Sequence, residues 1–212
     1  MLRGGIPEGT TTLVSGATGT GKTLLALSWL MQGCREGQAG LLFSLEENAG
    51  RLLENARHFG WDLEPFMEWG LLQLNHQSPV ELDLDRLLHT IRAKMTERVK
   101  RVVIDSISTF ALAMAGKESH VDYLWNLVRF FKASGASLLL TGEAREPFSF
   151  PQDSSSVLFS LADNIICLQH RVENLINKCA IAVLKMRGSD HAKEWREFVI
   201  GGTGPAVPVA GD

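Results

Sequence analysis

The chain has 212 residues, of which 45% are hydrophobic and 21% are charged, and its formal net charge is −3. This composition excludes a disordered or low-complexity protein and predicts one globular domain over residues 1–212. Because no overall basic field is present, we do not expect a nucleic-acid partner. The apolar runs fall short of the about 20 residues that a bilayer span needs, so we expect no membrane segment and a cytoplasmic protein. The three cysteines have no CxxC spacing, which argues against a zinc site or a disulfide framework.

Apolar runs alternate with helical patterns along most of the chain. Strands are predicted over Thr10–Ser15, Ala39–Leu45, Leu71–Leu74, Arg101–Ile107 and Ser137–Thr141. Helices are predicted over Lys22–Arg35, Asn48–Phe59, Asp83–Arg98 and Val121–Ala133, with a loop over Gly60–Gly70. Three later strands, with no helical pattern between them, are predicted to pair antiparallel at one edge: Asn164–Gln169, Ala180–Lys185 and Arg196–Ile200. The pattern predicts a three-layer α/β domain with a mostly parallel central sheet.

The strongest chemical signal lies between the first predicted strand and the first predicted helix. It reads Gly16-Ala17-Thr18-Gly19-Thr20-Gly21-Lys22-Thr23 and fits the pattern G-x-x-x-x-G-K-[ST]. Glycines let successive backbone N–H groups converge on phosphate oxygens, and the helix N-terminus adds the positive end of its dipole. The motif predicts that Lys22 binds the β- and γ-phosphates of a nucleotide and that the Thr23 hydroxyl binds Mg²⁺.

Carboxylates follow two other predicted strands. Asp105 follows the apolar run Val102-Val103-Ile104, where it can support the Mg²⁺ shell beside a phosphate loop. Glu46 and Glu47 come directly after the second strand, where one of them can act as a general base on an attacking water or hydroxyl. The alternative for this pair is an acidic cap on the helix that begins near Asn48.

A basic stretch, Lys185-Met186-Arg187-Gly188, ends one of the late strands. Lys185 and Arg187 occupy alternate positions, so both side chains point to the same side. At the sheet edge they do not reach the chain's own phosphate loop, but they can act on the γ-phosphate of a neighbouring subunit. The alternative is a solvated edge that discourages aggregation.

These segments together resemble the KaiC family of clock ATPases and autokinases, a branch of the RecA superfamily. The resemblance rests on Ser15–Thr23, Leu45-Glu46-Glu47, Ile104-Asp105-Ser106 and Lys185-Met186-Arg187-Gly188-Ser189-Asp190-His191. It runs over essentially the whole chain and is strongest with the second of KaiC's two tandem domains. It implies a RecA-like P-loop core, Mg²⁺-ATP as ligand, and a homo-hexamer with ATP between subunits.

The resemblance also assigns roles to individual residues. It places the phosphates on Thr18, Gly19, Thr20, Gly21, Lys22, Thr23 and Leu24, and Mg²⁺ on Thr23 and Glu46. Together with the motifs, it predicts catalytic roles for Lys22, Glu46, Glu47, Lys185 and Arg187. The residues that it brings to the nucleotide across the interface are Lys185, Met186, Arg187, Ser189, His191 and Lys193. Phe59 occupies the position of an aromatic residue near the adenine.

The chain departs from the family pattern at several points. Where the second KaiC domain is phosphorylated on an adjacent Ser-Thr pair, this chain has Phe159-Ser160, so Ser160 is the one direct phosphoacceptor candidate. Cys179 stands where the relative has an Arg near the adenine. The family has two such domains, so the chain is either a domain of a longer protein or a single-domain relative. Because few residues follow Gly204-Pro205, we do not expect the family's C-terminal regulatory tail within this sequence, which puts a KaiA-like clock partner in doubt.

The sequence therefore predicts an ATPase that acts between subunits of a ring and transfers phosphate to water or to a side chain. Two alternatives stay open. A DNA-dependent motor would use the segment Arg145–Asp153, which contributes one Arg together with Phe148 and Phe150 and makes a weak nucleic-acid platform. A nucleotide-gated scaffold would present its ring to a signalling partner with negligible turnover.

Overall fold

The computed structural model describes residues 1–81, 83–113, 120–144 and 154–208. Within them, nine strands form one sheet: β1 Thr11–Gly16, β2 Ala39–Ser44, β3 Leu72–His76, β4 Val99–Asp105, β5 Ser137–Glu143, β6 Asn164–Glu173, β7 Ile176–Met186, β8 Arg196–Gly201 and β9 Gly204–Ala206. Their order across the sheet is β3-β2-β4-β5-β1-β6-β7-β8-β9. Strands β1 to β6 run parallel, and β7, β8 and β9 are antiparallel to their neighbours. The predicted mostly parallel sheet with antiparallel C-terminal strands is confirmed.

Helices cover both faces of the sheet, because the central strands are apolar on both sides. The helices are α1 Lys22–Arg35, α2 Ala49–His58, α3 Glu64–Glu68, α4 Leu84–Lys94, α5 Ile107–Ala113, α6 His120–Ser134 and α7 Ser154–Leu161. Helices α1, α2 and α3 pack on one face around Val14, Leu42 and Val103. Helices α4 to α7 pack on the other face around Leu13 and Ile104. This arrangement confirms the three-layer architecture. None of the described helices combines the length and apolar character that crossing a membrane requires.

Several predicted boundaries are wrong. The helix predicted to reach Arg98 ends at Lys94, and the strand predicted to end at Ile107 ends at Asp105. Ile107 instead begins α5, since the Ser106 hydroxyl accepts the Thr109 N–H at 3.2 Å and so caps a new helix. The predicted strand was extended past Asp105 and Ser106 to the next apolar residue, Ile107, because apolar patterning does not show where the backbone changes conformation.

Three short helices and one strand were missed altogether. Helix α3 lies in the predicted loop, α5 begins at Ile107, α7 begins at Ser154, where no element was predicted, and β9 follows the last predicted strand. Strands β6 and β7 are longer than predicted and meet at a tight turn, where Asn174 and Leu175 have φ values of 51° and 64°. Two residues with positive φ are typical of the hairpin turns that match the twist of paired strands.

The turn between β8 and β9 packs against Trp61. Its Nε1 donates to the Thr203 carbonyl oxygen at 3.0 Å, and its side chain is buried. Gly204 has a φ of +110°, and a Cβ there would lie 2.1 Å from the Trp61 ring. The turn between β8 and β9 therefore packs against the indole only because position 204 has no side chain.

We predict that Gly204→Ala lowers the free energy of unfolding by about 2–4 kcal/mol, because it combines a strained φ with a steric overlap. The matched control is Gly202→Ala in the same turn, where a Cβ meets nothing within 4 Å and φ is not in the left-handed region. Urea unfolding followed by tryptophan fluorescence measures both variants. Equal stability of the two would contradict the packing argument.

Candidate functional site

The predicted functional residues of the first half of the chain meet at one edge of the sheet. In a parallel sheet the carboxyl ends of neighbouring strands lie side by side, and ligands of such sheets bind there. Gly16, which opens the phosphate loop, is the register partner of Glu143, and Ser44, which precedes Glu46, is the partner of Asp105. The topology therefore brings the ends of β1, β2, β4 and β5 together.

The phosphate loop has the backbone shape that the motif predicts. Gly19 and Gly21 have φ values of 79° and 91°, and Gly21 is the N-cap of α1. A Cβ on Gly16 would lie 2.5 Å from the Leu168 carbonyl oxygen, so close packing against β6 requires glycine here. The Lys22 ammonium donates to the carbonyl oxygens of Gly16 and Ala17, both at 2.9 Å. The lysine thus lies across the mouth of its own loop.

Thr23 and Asp105 are in direct contact at the start of α1. The Thr23 hydroxyl donates to one carboxylate oxygen of Asp105 at 2.8 Å, and the Thr141 hydroxyl donates to the other. Asp105 is 2% exposed. Burial raises the pKa of the Asp105 carboxyl, and the hydrogen bonds from Thr141 and Thr23 oppose that rise. The pair offers hydroxyl and carboxylate oxygens, the donor types that Mg²⁺ prefers.

No group of three or more His, Cys, Asp and Glu side chains that could hold a metal occurs in the described part of the chain. Mg²⁺ is usually held by one or two protein oxygens together with substrate phosphates rather than by an all-protein cage. The donor set of Thr23 and Asp105 beside a phosphate loop therefore fits Mg²⁺ that arrives with a nucleotide.

Lys22 lies among carboxylates. Burial lowers the pKa of the Lys22 ammonium, and the negative charges of Glu143, Asp105 and Glu46 act in the opposite direction. Three acidic side chains therefore face the site where phosphate groups are predicted to bind.

Glu46 and Glu47 point to different partners. Glu46 Oε1 accepts from the Ser106 hydroxyl at 2.5 Å and from the Thr109 hydroxyl at 2.8 Å, both at the start of α5. Glu47 Oε2 accepts from the Asn55 amide on α2 at 2.9 Å. Neither carboxylate caps α2, because the side chain of Asn48 takes that position. The N-cap residue of α2 is therefore Asn48 rather than either glutamate, although Glu47 still contacts α2 through Asn55.

Lys185 and Arg187 lie at the opposite end of the sheet. The neighbouring Met186 is the register partner of Asn164, which pairs in turn with Thr12 near the start of β1. The four-residue step from Thr12 to Gly16 covers about 13 Å of strand, so neither cation reaches the phosphate loop of its own chain.

Both cations contact the end of α7. Lys185 Nζ donates to the carbonyl oxygens of Phe159 at 3.1 Å and Ala162 at 2.7 Å. Arg187 contacts Asp163 at 3.3 Å and the Ser160 carbonyl at 3.5 Å. They share one side of the strand, as predicted. Burial, followed by the charge of Arg187, lowers the pKa of Lys185.

The remaining predicted site residues are distributed around these two regions. The side chain of Met186 is buried in the core, at 6% exposure. The Ser189 hydroxyl donates to the Asp190 carbonyl oxygen at 3.3 Å. The Nδ1 atom of His191 is buried without a hydrogen-bond partner, and the side chain of Lys193 is exposed. Leu24 packs half-buried on α1, and the ring of Phe59 lies 5.6 Å from that of Trp61. Ser160 is exposed near the end of α7, whereas Arg145–Asp153 lies outside the described residues.

Several residues at the site were missed by the sequence argument. Glu143 and Thr141 end β5, and the reasoning that found Asp105 at a strand end applies equally to them. The other missed contacts come from the hairpin strands. His170 Nε2 lies 3.2 Å from the Thr18 carbonyl oxygen, and Cys179 Sγ lies 3.4 Å from His170 Nδ1. The side chain of Ile200 lies against Gly21. No local signal reports them, because they depend on how β6, β7 and β8 pack.

A small cavity lies beside the phosphate loop between β1 and β6. Its volume is about 100 Å³, and it is lined by Ser15, Gly16, Ala17, Ala144, Cys167, Leu168, Gln169 and His170. All three cysteines are free, and burial raises the pKa of Cys167 to about 11. Cys167 is therefore a neutral thiol at physiological pH.

Comparison with known proteins decides the family. The sequence profile described as "ATPase: KaiC" matches residues 1–209. The chain belongs to the KaiC ATPase family. A circadian clock oscillator protein KaiC from Rippkaea orientalis is 32% identical over 209 residues, which is 98% of this chain and 40% of that protein. The protein of the same name from Synechococcus elongatus is 32% identical over 210 residues, covering 94% of this chain and 40% of its own length.

A solved structure shows the same fold. The KaiC-like protein from the hyperthermophilic archaeon Pyrococcus horikoshii superposes with a TM-score of 0.88 at 31% identity, covering 98% of this chain and 93% of that one. The RecA-like core implied by the KaiC resemblance is thereby confirmed. The chain spans about 40% of the length of the curated KaiC relatives that it matches. Its membership of an ATPase family implies that it binds nucleotide.

We predict that Asp163→Asn lowers stability by about 1–3 kcal/mol at pH 7, because Asp163 accepts from the Thr11 N–H and pairs with Lys132 and Arg187. Burial acts to raise the pKa of Asp163, but these three partners outweigh it and lower the pKa. A carboxyl with a lowered folded-state pKa stabilises the protein above its unfolded pKa of about 3.9, and that contribution is lost as pH falls below it. Denaturant unfolding from pH 7 to pH 3 measures the difference between wild type and variant. A difference that does not shrink below pH 4 would contradict the assignment, and the exposed Asp190→Asn, whose partner is Arg3, is the control.

Proposed function

We propose that this chain is a Mg²⁺-dependent ATPase domain that acts between subunits of a homo-hexamer, and that each subunit also transfers phosphate to Ser160 of its neighbour. The observation that carries the proposal is the contact between Thr23 of the phosphate loop and the buried carboxylate of Asp105. It joins a phosphate-binding helix start to an oxygen ligand for a metal at the carboxyl edge of the sheet. Family membership supports nucleotide binding, and the residue roles that follow are the proposal's own.

The phosphate loop binds the polyphosphate. Backbone N–H groups from Thr18 to Leu24 face the phosphates, and Lys22 leaves the carbonyl oxygens of Gly16 and Ala17 to pair with the β- and γ-phosphates. Thr23 and Asp105 would hold Mg²⁺, and Glu46 would be a further carboxylate ligand for it. When bound, the metal neutralises charge that develops on the phosphate oxygens.

Glu46 orients and deprotonates the attacking group. The hydroxyls of Ser106 and Thr109 hold its Oε1 atom, which leaves Oε2 for a water or a hydroxyl. Glu47 is held by Asn55 and adds negative charge near Asp105 without sharing the partners of Glu46. We therefore assign the general base to Glu46 and a supporting role to Glu47.

Lys185 and Arg187 act on the nucleotide of the neighbouring subunit. They lie too far from their own phosphate loop, and a planar guanidinium is suited to bind a transferring phosphoryl group. A heterologous interface repeated around a ring places this end of one subunit against the phosphate edge of the next. His191, with an unpartnered buried Nδ1 atom, Ser189 and Lys193 follow on the same loop. Phosphotransfer to Ser160 fits the same geometry, because Arg187 contacts its carbonyl oxygen.

A mixing experiment tests the action across the interface. Lys22→Ala removes the phosphate ligand and Arg187→Ala removes the cation, so each variant alone is expected to hydrolyse ATP at below about 5% of the wild-type rate. In a 1:1 mixture, about a quarter of the interfaces of a random heterologous ring combine an intact loop with an intact Arg187. We therefore expect about a quarter of the wild-type rate in the mixture, measured as phosphate release after unfolding and co-refolding or subunit exchange.

If the mixture hydrolyses ATP no faster than the two variants do separately, Arg187 acts within its own subunit or not at all. In the matched control, Lys22→Ala is mixed with Arg57→Ala instead of with Arg187→Ala. Arg57 is a surface residue that pairs with Glu64. Arg57→Ala alone should keep the wild-type rate.

The fate of γ-labelled phosphate tests the reaction itself. After incubation with Mg²⁺-ATP we expect label both in free phosphate and on the protein, with the protein-bound label abolished by Ser160→Ala and retained by the control Ser134→Ala at the exposed end of α6. Glu46→Gln should lower both products by about 10²–10³-fold, because the general base is lost.

Label in free phosphate alone would remove the autokinase part and leave an ATPase. Label that stays on ATP would favour the nucleotide-gated scaffold. Phosphate release that rises on addition of single-stranded DNA would favour the DNA-dependent motor.

A further inference from the structure

Glu143 occupies a position that the proposed reaction does not use. It ends β5 as the register partner of Gly16, and its carboxylate reaches over the phosphate loop. The Thr18 hydroxyl donates to Glu143 Oε1 at 2.6 Å, a length typical of a charge-assisted bond. We call this contact the Thr18–Glu143 latch.

The backbone beneath the latch is held on both sides. The Glu143 N–H donates to the Ser108 hydroxyl at 2.7 Å, and the Ala144 N–H donates to the Gly16 carbonyl oxygen at 3.3 Å. The end of β5 is therefore tied both to α5 and to the phosphate loop. The Glu143 side chain is exposed, so the carboxylate can rotate into solvent without moving the strand.

The latch blocks an anion in two ways. It occupies the Thr18 hydroxyl, a phosphate-loop donor, and it places a negative charge where a phosphate oxygen must enter. Among the acidic groups around Lys22, Glu143 contributes most to the rise in the pKa of the ammonium that opposes the effect of burial. Because Lys22 is predicted to bind the β- and γ-phosphates, a negative charge that acts on Lys22 acts at the end of the polyphosphate that distinguishes ATP from ADP.

We propose that Glu143 sets the nucleotide affinity of the phosphate loop: its carboxylate holds Thr18 until a nucleotide displaces it, and its charge disfavours ATP more than ADP. This inference rests on the proposed nucleotide-binding function. It assigns to Glu143 a specificity-determining role rather than a step in the chemistry. The latch keeps the ATP affinity of the loop below what its glycines, Lys22 and helix dipole would otherwise supply.

The test measures the dissociation constants of Mg²⁺-ATP and Mg²⁺-ADP by titration calorimetry. Glu143→Gln keeps the size of the side chain and removes its charge. At a salt concentration of about 50 mM we expect it to tighten ATP binding about 5-fold and ADP binding about 2-fold, with both effects reduced by half or more at about 500 mM. Glu143→Asp keeps the charge but withdraws the carboxylate from Thr18. We expect it to tighten binding by a smaller factor, about 2-fold for ATP. Comparison of the two variants separates the effect of the hydrogen bond to Thr18 from the effect of the negative charge.

Glu64→Gln is the matched control, because it also removes the charge of a surface carboxylate that accepts a short hydrogen bond. Glu64 begins α3, and its carboxylate accepts from Arg57 at 2.7 Å. It should leave both constants unchanged. Unchanged affinities in Glu143→Gln, when the wild type binds ATP, would overturn the latch and leave the proposed function intact. Weaker ATP binding in Glu143→Gln would also overturn it, since Glu143 would then assist the metal. Failure of the wild type to bind either nucleotide would overturn the proposed function and the latch with it. A check that the protein in the same titration samples is folded distinguishes this result from a loss of binding caused by unfolding.

Discussion

The organisation of the site depends on one buried carboxylate. Asp105 is almost completely enclosed, yet it accepts hydrogen bonds from Thr23 at the start of α1 and from Thr141 near the end of β5. A buried charge costs free energy unless it is hydrogen-bonded or paired, so these two hydroxyls are needed to retain the carboxylate. By hydrogen-bonding to the same carboxylate, the Thr23 and Thr141 hydroxyls hold the start of α1 against the ends of β4 and β5. The phosphate loop takes its position from that junction.

Strand β4 holds α1 at its other end as well. Arg101, near the start of β4, donates to the Trp29 carbonyl oxygen at 2.7 Å and pairs with Glu36 just beyond the helix. Its side chain fills the space beside Gly33, where a Cβ would lie 2.6 Å from Arg101 Cδ. A cation near a helix C-terminus is also favoured by the helix dipole. One strand therefore contacts both ends of the helix that carries Lys22 and Thr23.

The antiparallel reversal at β7 separates two sets of charged groups. The phosphate loop and its carboxylates lie at the carboxyl edge of the parallel strands, whereas Lys185 and Arg187 lie at the opposite edge with Asp163. Acidic groups dominate the first edge and basic groups the second, so the two edges are complementary between copies and not within one chain. This separation is the physical reason for proposing a ring in which each active centre is shared.

The sequence alone determined the fold class, the phosphate loop, Asp105 at a strand end and the family, because these depend on local periodicity and on motifs whose residues are contiguous. It placed Ile107 in a strand and missed α5, since a single apolar residue after Asp105 and Ser106 fits the end of a strand as well as the start of a helix. Only the tertiary structure decided that Glu46 and Glu47 have separate partners, that Glu143 contacts Thr18, and that His170 and Ile200 lie against the loop. Apart from the contact between Glu47 and Asn55, each of these contacts joins residues far apart in the chain. Their approach depends on the order of the strands in the sheet, which local sequence patterns do not encode.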